Sequence, residues 1–268
     1  MNMNPARCGL IPASKSEPDT CRKFFSGASE SKKMAIEITN DGFLDSNSSK
    51  VALHTNQVHS EVLSYCKRLN NLAHRSLFSA KVSLEDSQQF LLASLIHKAM
   101  TAYQAIILLA ERGMPSESQV VLRTLLEVTF RIVAIAKNPV VGEAYILQDE
   151  TNRRKFINKL KVLEKSRPAD IVDVELDNML KTVSQGIKEK NIKELSTAWF
   201  AEKANLLDFY NSAYAVLSDS VHVNVRHLEN AFNLDSNGEL IGLNYGFSDK
   251  NLIQNVLTAA EGLLLSLH

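Results

Sequence analysis

The chain has 268 residues, of which 45% are hydrophobic and 22% charged, so it is long enough to bury a sizeable core. Lysine plus arginine and aspartate plus glutamate each number 30, which gives a formal net charge of zero. This balance argues against a protein built mainly to coat nucleic acid, although it is compatible with a local basic patch. With 10 glycines and 6 prolines, the composition favours long helices over many turn-linked strands.

The cysteines and the apolar segments indicate in which cellular compartment the protein is located. Cys8, Cys21 and Cys66 form no CxxC pair, which is typical of a reducing environment. The N-terminal region has no apolar h-region of a secretory signal. The longest apolar stretches, 91–109 and 252–267, are interrupted by polar and charged residues, so neither is expected to span a membrane. We therefore predict a cytoplasmic protein that does not enter a membrane.

Residues 1–50 are rich in Ser, Asn, Asp, Lys and Pro, with scattered apolar residues, which is typical of a flexible tail. From residue 51 onward, apolar residues recur at helical spacing, so 51–268 is predicted to be a single helical domain. We expect an all-α fold, a helical bundle of about six to seven helices with a small β-hairpin before the C-terminal helix.

Two helices are predicted in the first part of this domain. Apolar residues at three- and four-residue steps indicate an amphipathic helix over 58–77. Ser83 and Asp86 resemble a capping box that opens the second helix, and Gly113 fits its C-terminal cap. The apolar residues of this second helix are too dense for a surface helix, so we expect it to be central.

Four further helices are predicted before the hairpin. Their expected bounds are, in order, 115–137, 140–165, 169–188 and 205–232. Ser116 and Gln119 form a capping-box candidate for the first of them, and Asn205 with Asp208 is expected to start the last. The segment 193–204 contains the only tryptophan and is expected to pack as a connector.

Asn237-Gly238 is flanked by apolar runs within 232–245, and Asn-Gly is the strongest short-range hairpin signal. Ser248 or Asp249 is then expected to cap the final helix. Together these signals predict the hairpin and the C-terminal helix.

Three charged residues interrupt the apolar middle of the helix predicted over 115–137. Arg123, Glu127 and Arg131 are spaced i, i+4, i+8, so their side chains stack along one side. Unpaired charges in an apolar interior are costly and must meet partners. The stripe is therefore an internal ion-pair network, a ligand or catalytic pocket, or a plain solvated face.

The helix predicted over 205–232 has a second polar face. Its members recur at four-residue steps and are Tyr210, Tyr214, Ser218, His222 and Arg226. Histidine alone among these titrates near neutral pH. Two interpretations of this face are open. Either its histidine is hydrogen-bonded in the core, with the tyrosine rings packed around it, or the face meets the stripe of Arg123, Glu127 and Arg131 and forms half of an anion-binding pocket.

Other signals are weaker. His222 and His227, with Glu229 nearby, are five residues apart, whereas helical zinc pairs favour i, i+4; no metal and no cofactor is predicted. The basic run within 153–161 is typical of a solvated face, although it could contact phosphate.

Two motifs, in the expected order, resemble a bacterial helical family of unknown function, family 5677. The first is VLRTLLE at 121–127, followed by Asn-Pro at 138–139 and by Tyr145. The second is Trp199 followed by YxxxYxxLSxxxH at 210–222. The resemblance covers about 83–232 and implies an all-α fold. The positions it singles out are Arg123, Glu127, Ser218 and His222.

A loose similarity to HEPN-like helical bundles suggests, by analogy, a role with nucleic acids or in stress and defence. Arg68 and His74 also match the spacing of the ribonuclease motif of those bundles. A chain of this composition contains about one such match by chance, so the motif alone has little weight.

Two functional hypotheses follow. In the first, the protein acts on RNA or a nucleotide in stress or defence; if it is an enzyme, it is a metal-independent nuclease or nucleotide-processing hydrolase. In the second, it is a non-enzymatic interaction or dimerisation module with a structural buried ion-pair network. We expect a homodimer in either case. The candidate catalytic residues are His222, Arg123 and Glu127, and the candidate ligand-binding residues are Arg131, Tyr210, Tyr214, Ser218 and Arg226.

Overall fold

The structure of the protein is a computed structural model that describes residues 41–83, 85–164, 174–221, 228, 231–243, 246–249 and 251–268. Nine helices lie within these ranges. They are α1 Ser48–Val58, α2 Ser60–Ser79, α3 Ser87–Glu111, α4 Pro115–Lys137, α5 Pro139–Glu164, α6 Val174–Glu189, α7 Thr197–Ala204, α8 and α9 Leu252–Leu267. Helix α8 consists of Leu207–Phe209, a π-helical turn Tyr210–Tyr214 and Ala215–Val221.

The predicted fold class is confirmed, including the hairpin before the C-terminal helix. Strand β1 (Phe232–Leu234) pairs antiparallel with β2 (Leu240–Leu243). The turn between them contains Gly238 at φ 81°, a left-handed conformation that glycine adopts without steric cost. The Asp235 amide donates to the Glu239 carbonyl at 2.9 Å and closes the loop.

Helix α4 is at the centre of the bundle, in contact with α3, α5, α7, α8 and α9. Its apolar residues surround most of its circumference because neighbours cover most of its sides. The largest side chains buried in this core include Tyr103, Leu122, Leu125, Leu126, Phe130, Phe200 and Leu263. Burial of each such side chain contributes on the order of 1.5–3 kcal/mol relative to exposure.

Helix α3 is long and apolar enough to cross a membrane by length and composition alone. It packs against α2, α4 and α9, and its buried residues belong to the main hydrophobic core. Part of its apolar surface is therefore used in packing against other helices of the same chain, while Phe90 and Leu108 are exposed.

Buried polar contacts fix α9 on α4. The Asn255 side-chain amide donates to the Pro115 carbonyl at 3.0 Å and to the Ser118 hydroxyl at 2.7 Å. Near the other end of the pair, the Thr129 hydroxyl donates to the Gly262 carbonyl at 3.1 Å. Because apolar packing alone is non-directional, these bonds specify the register of the two helices.

Helices α5 and α6 form a second, smaller core. It contains Ile157, Val183 and Ile187, which are all buried. Among the described elements, α6 has its main contacts with α5. The α5–α6 pair is thus stabilised by its own apolar contacts, in addition to the packing of the first half of α5 on α4.

The helix starts differ from several sequence predictions. The second predicted helix begins with Asp86 as N-cap, because its carboxylate accepts from the amides of Gln88 and Gln89, both at 3.0 Å. Ser83 is therefore not the cap. Ser116 is not a cap either, since Met114 precedes the first residue of α4. Asp86 has the extended backbone typical of an N-cap, whereas Met114 precedes α4 without a side-chain cap.

Four further predictions about helix positions were wrong. Asn205 adopts a left-handed conformation, with φ 59°, and ends α7 instead of starting α8. The segment predicted as a connector contains α7, whose N-cap Ser196 accepts from the Trp199 amide at 3.1 Å. Phe232 belongs to β1 instead of a helix, and Asn251, with φ 64°, precedes α9 in place of a capping serine or aspartate.

Candidate functional site

The charged stripe on α4 forms a continuous ladder. Arg123 Nη1 lies 3.1 Å from Glu127 Oε1, and Arg131 Nη1 lies 3.7 Å from Glu127 Oε2. Arg131 Nη1 also donates to the Glu127 carbonyl at 2.8 Å. The three side chains are 21%, 24% and 20% exposed. The i, i+4 spacing thus brings two guanidinium groups to one carboxylate at a partly buried position.

Aromatic rings cover the guanidinium groups. The Cζ of Arg123 lies 5.0 Å from the ring centre of Tyr214. The Cζ of Arg131 lies 5.6 Å from the ring of Tyr145 and 5.2 Å from that of Phe200. At these distances a cation is attracted to the electron-rich ring face. Rings from α5, α7 and α8 therefore hold the two arginines of α4.

Tyr214 connects α8 to the ladder. Its hydroxyl donates to Glu127 Oε1 at 2.7 Å, and its ring stacks on that of Tyr210 with centres 4.9 Å apart. Both tyrosines lie in the π-helical turn, a feature that often marks functional positions. Burial raises the pKa of Tyr214, and the hydrogen bond to Glu127 raises it further. Tyr214 is therefore a neutral donor at ordinary pH.

The structure brings together Arg123, Glu127, Arg131 and Tyr214, so the two polar faces meet at this point. Tyr210 contacts Tyr214 and Phe130, and Ser218 is half-buried further along α8. His222 and Arg226 lie outside the described residues.

Sequence reasoning missed three residues of this cluster. Tyr145 and Phe200 contact Arg131, and the side chain of Thr197 hydrogen-bonds Tyr214. The family motifs were the sequence signal that could have identified two of these residues. Tyr145 belongs to the first motif, and Phe200 follows the tryptophan of the second. Their role depends on the approach of α5 and α7 to α4, which spacing along a single helix does not reveal.

The cluster has unused hydrogen-bonding capacity. Arg123 Nε and Arg131 Nε are buried and have no hydrogen-bond partner. A buried donor without an acceptor costs about 1–3 kcal/mol. Two arginines also share one glutamate, so the cluster carries a net positive charge. An anion at the Nε edges of the two arginines would accept hydrogen bonds from these donors and would balance the positive charge of the cluster.

The Arg68/His74 motif and the basic run within 153–161 do not form a site in the structure. Arg68 is exposed, whereas His74 lies against Gln104, with their Nε2 atoms 2.6 Å apart. Six residues on a helix separate side chains by about 120°, so Arg68 and His74 point apart. The basic run is largely ion-paired, as between Lys155 and Glu194.

No three His, Cys, Asp or Glu residues gather as metal ligands within the part of the chain that the structure describes. The weaker histidine signal of the sequence, at His222, His227 and Glu229, lies outside that part.

Comparison with known proteins agrees with the motifs quoted from the sequence. No curated protein and no solved structure matches the chain. The family model for the Family of unknown function (DUF5677) matches residues 89–240, which include α4 and the π-helical turn. Because this match covers more than half of the 268 residues, the chain belongs to the Family of unknown function (DUF5677).

Proposed function

We propose that the protein binds a phosphate group of RNA or of a nucleotide at the cluster of Arg123, Glu127, Arg131 and Tyr214. The observation that carries this proposal is the pair of arginines that share one carboxylate while each keeps a buried, unpartnered Nε. Arginine presents its donors in a fixed fork that matches the oxygens of a phosphate.

Each residue then has a distinct role. Arg123 and Arg131 bind the phosphate oxygens, and Glu127 orients both guanidinium groups through its two carboxylate oxygens. Tyr214 holds that carboxylate in place through its hydrogen bond, and the half-buried ring of Tyr210 offers a surface on which a base could stack.

In the catalytic form of this proposal, His222 acts as general acid or base on the bound phosphodiester or nucleotide. Histidine is suited to this role because its charge changes near neutral pH. The reaction class is metal-independent hydrolysis by a stress or defence protein of the cytosol, as the resemblance and composition suggest.

Binding is tested by fluorescence anisotropy with a labelled single-stranded oligoribonucleotide, with unlabelled mononucleotide as competitor. We expect Arg123→Gln and Arg131→Gln each to weaken binding about tenfold or more, because each removes a charge-assisted hydrogen bond. Arg75→Gln is the matched control, since Arg75 is exposed on α2. Equal affinity of all three variants, or no binding by the wild type, would disprove the proposed site.

Catalysis is tested separately by incubating RNA with the protein in the presence of a chelator. We expect cleavage that is lost in His222→Ala while binding is retained. Binding without cleavage would disprove the hydrolase hypothesis and would show that the protein is a nucleic-acid-binding module.

One observation favours the non-enzymatic alternative. Glu127 accepts from Arg123, Arg131 and Tyr214 and so ties α4 to α8, as a structural strut would. In that case Arg123→Met should be neutral or mildly destabilising in thermal unfolding and no ligand should bind. In the proposed binding site, the same variant folds normally and loses the ligand.

A further inference from the structure

Helix α9 presents a single exposed stripe. Within 251–268, the exposed residues after the first are Gln254, Leu257, Glu261, Leu264 and His268. Their spacing alternates between three and four residues, which is the spacing of a coiled-coil seam. The rest of the helix faces α3, α4 and α2, so this stripe is the side that α9 leaves free.

An apolar groove runs along the stripe. It has a volume of about 430 Å³ and is lined by Tyr65 of α2 together with Leu257, Ala260, Leu264 and Leu265 of α9. Leu257 and Leu264 are 44% and 40% exposed, and Tyr65 is 40% exposed. Large side chains that stay in water along a continuous groove are typical of an interaction surface.

The charges on this surface are self-complementary. Glu261 and His268 also line the groove and lie seven positions apart, with Leu264 and Leu265 midway between them. A twofold axis at that midpoint would place an antiparallel copy of α9 alongside. Glu261 would then face His268 of the partner subunit, and the reverse contact would form on the other side of the axis.

We propose that the last two turns of α9, residues 261–268, form the contact of a homodimer in which the two copies pack antiparallel about Leu264 and Leu265. The imidazole of His268 donates a hydrogen bond to a carboxylate in either protonation state, so the reciprocal pairs specify this register. An axis at Glu261 would instead bring this carboxylate against its own copy, which like-charge repulsion disfavours. This inference does not depend on the proposed phosphate site.

The test measures the mass of the full chain by sedimentation velocity over about 1–100 μM. We expect a dimer whose dissociation constant rises about tenfold or more in Leu264→Glu, because the substitution places two carboxylates at the twofold axis. Leu163→Glu is the matched control, since Leu163 is 63% exposed on α5. Thermal unfolding of both variants verifies that they fold. A monomeric wild type, or equal effects of the two variants, would overturn the proposal.

Charge reversal tests the register. Glu261→Lys and His268→Glu should each weaken the dimer several-fold, and their combination should restore the wild-type dissociation constant to within about threefold. Two single effects that simply add in the double variant would contradict the antiparallel pairing at Leu264.

Discussion

Replacement of Tyr214 by phenylalanine removes a hydroxyl group from the centre of the cluster. With it go the 2.7 Å bond from this hydroxyl to Glu127 Oε1 and the hydrogen bond with the Thr197 side chain. The ring itself keeps its stacking on Tyr210 and its contact with Arg123. The substitution therefore isolates the hydroxyl from the rest of the aromatic packing.

The expected loss in the free energy of unfolding depends on how deeply Tyr214 and Glu127 are buried. A hydrogen bond to a charged group contributes about 1.5–3 kcal/mol. Tyr214 is only 5% exposed, whereas the Glu127 side chain is 24% exposed and keeps both arginines. Because water can reach the freed carboxylate in part, we expect a loss at or just below the lower limit of this range, about 1–1.5 kcal/mol.

The measurement is the free energy of unfolding in urea, with an unchanged slope against denaturant. Tyr210→Phe is the control, because it makes the same change in the same π-helical turn and no hydrogen bond of the Tyr210 hydroxyl is present among the described residues. A double-mutant cycle with Glu127→Gln should give a coupling of about 1 kcal/mol. If Tyr214→Phe costs no more than Tyr210→Phe, the hydroxyl does not stabilise the cluster as reasoned here.

Two further predictions concern capping and pH. Asp86→Ala should lower the free energy of unfolding by about 1 kcal/mol because the α3 cap is lost, whereas Ser83→Ala should lower it by less than about 0.5 kcal/mol. Unfolding in urea measures both values, and equal losses would contradict the assignment of Asp86 as the cap. Burial raises the pKa values of Tyr103 and Tyr214, so above about pH 10 the unfolded chain loses protons that the folded protein keeps. Stability should then fall with rising pH, and less steeply when both are phenylalanine; an identical slope would refute the argument.

Local signals predicted most of the elements and four of the seven residues of the cluster. Apolar periodicity, Gly113 and the Asn237-Gly238 turn located the central helices and the hairpin, because these features act over a few residues. The i, i+4 spacing of Arg123 and Glu127 alone was sufficient to place them side by side. The family motifs lie within residues 89–240, which the family model matches.

Capping was less predictable, because several residues near each helix start could cap it. Asp86 and Ser83 are both suitable by type, and only the backbone path selected Asp86. Likewise, Asn205 could have started a helix, but its left-handed conformation ends one. Such choices depend on how the chain enters and leaves the bundle.

An all-α fold and a charged stripe along α4 could be inferred from the amino-acid sequence, since both follow from periodicities of 3.6 residues along single helices. The contacts of Tyr214, Tyr145 and Phe200 with that stripe depend instead on how the helices pack. Those residues come from three other helices, and their approach to α4 is set by packing of the whole core. No spacing within one helix encodes that approach, so the aromatic contacts of the arginines could be established only from the tertiary structure.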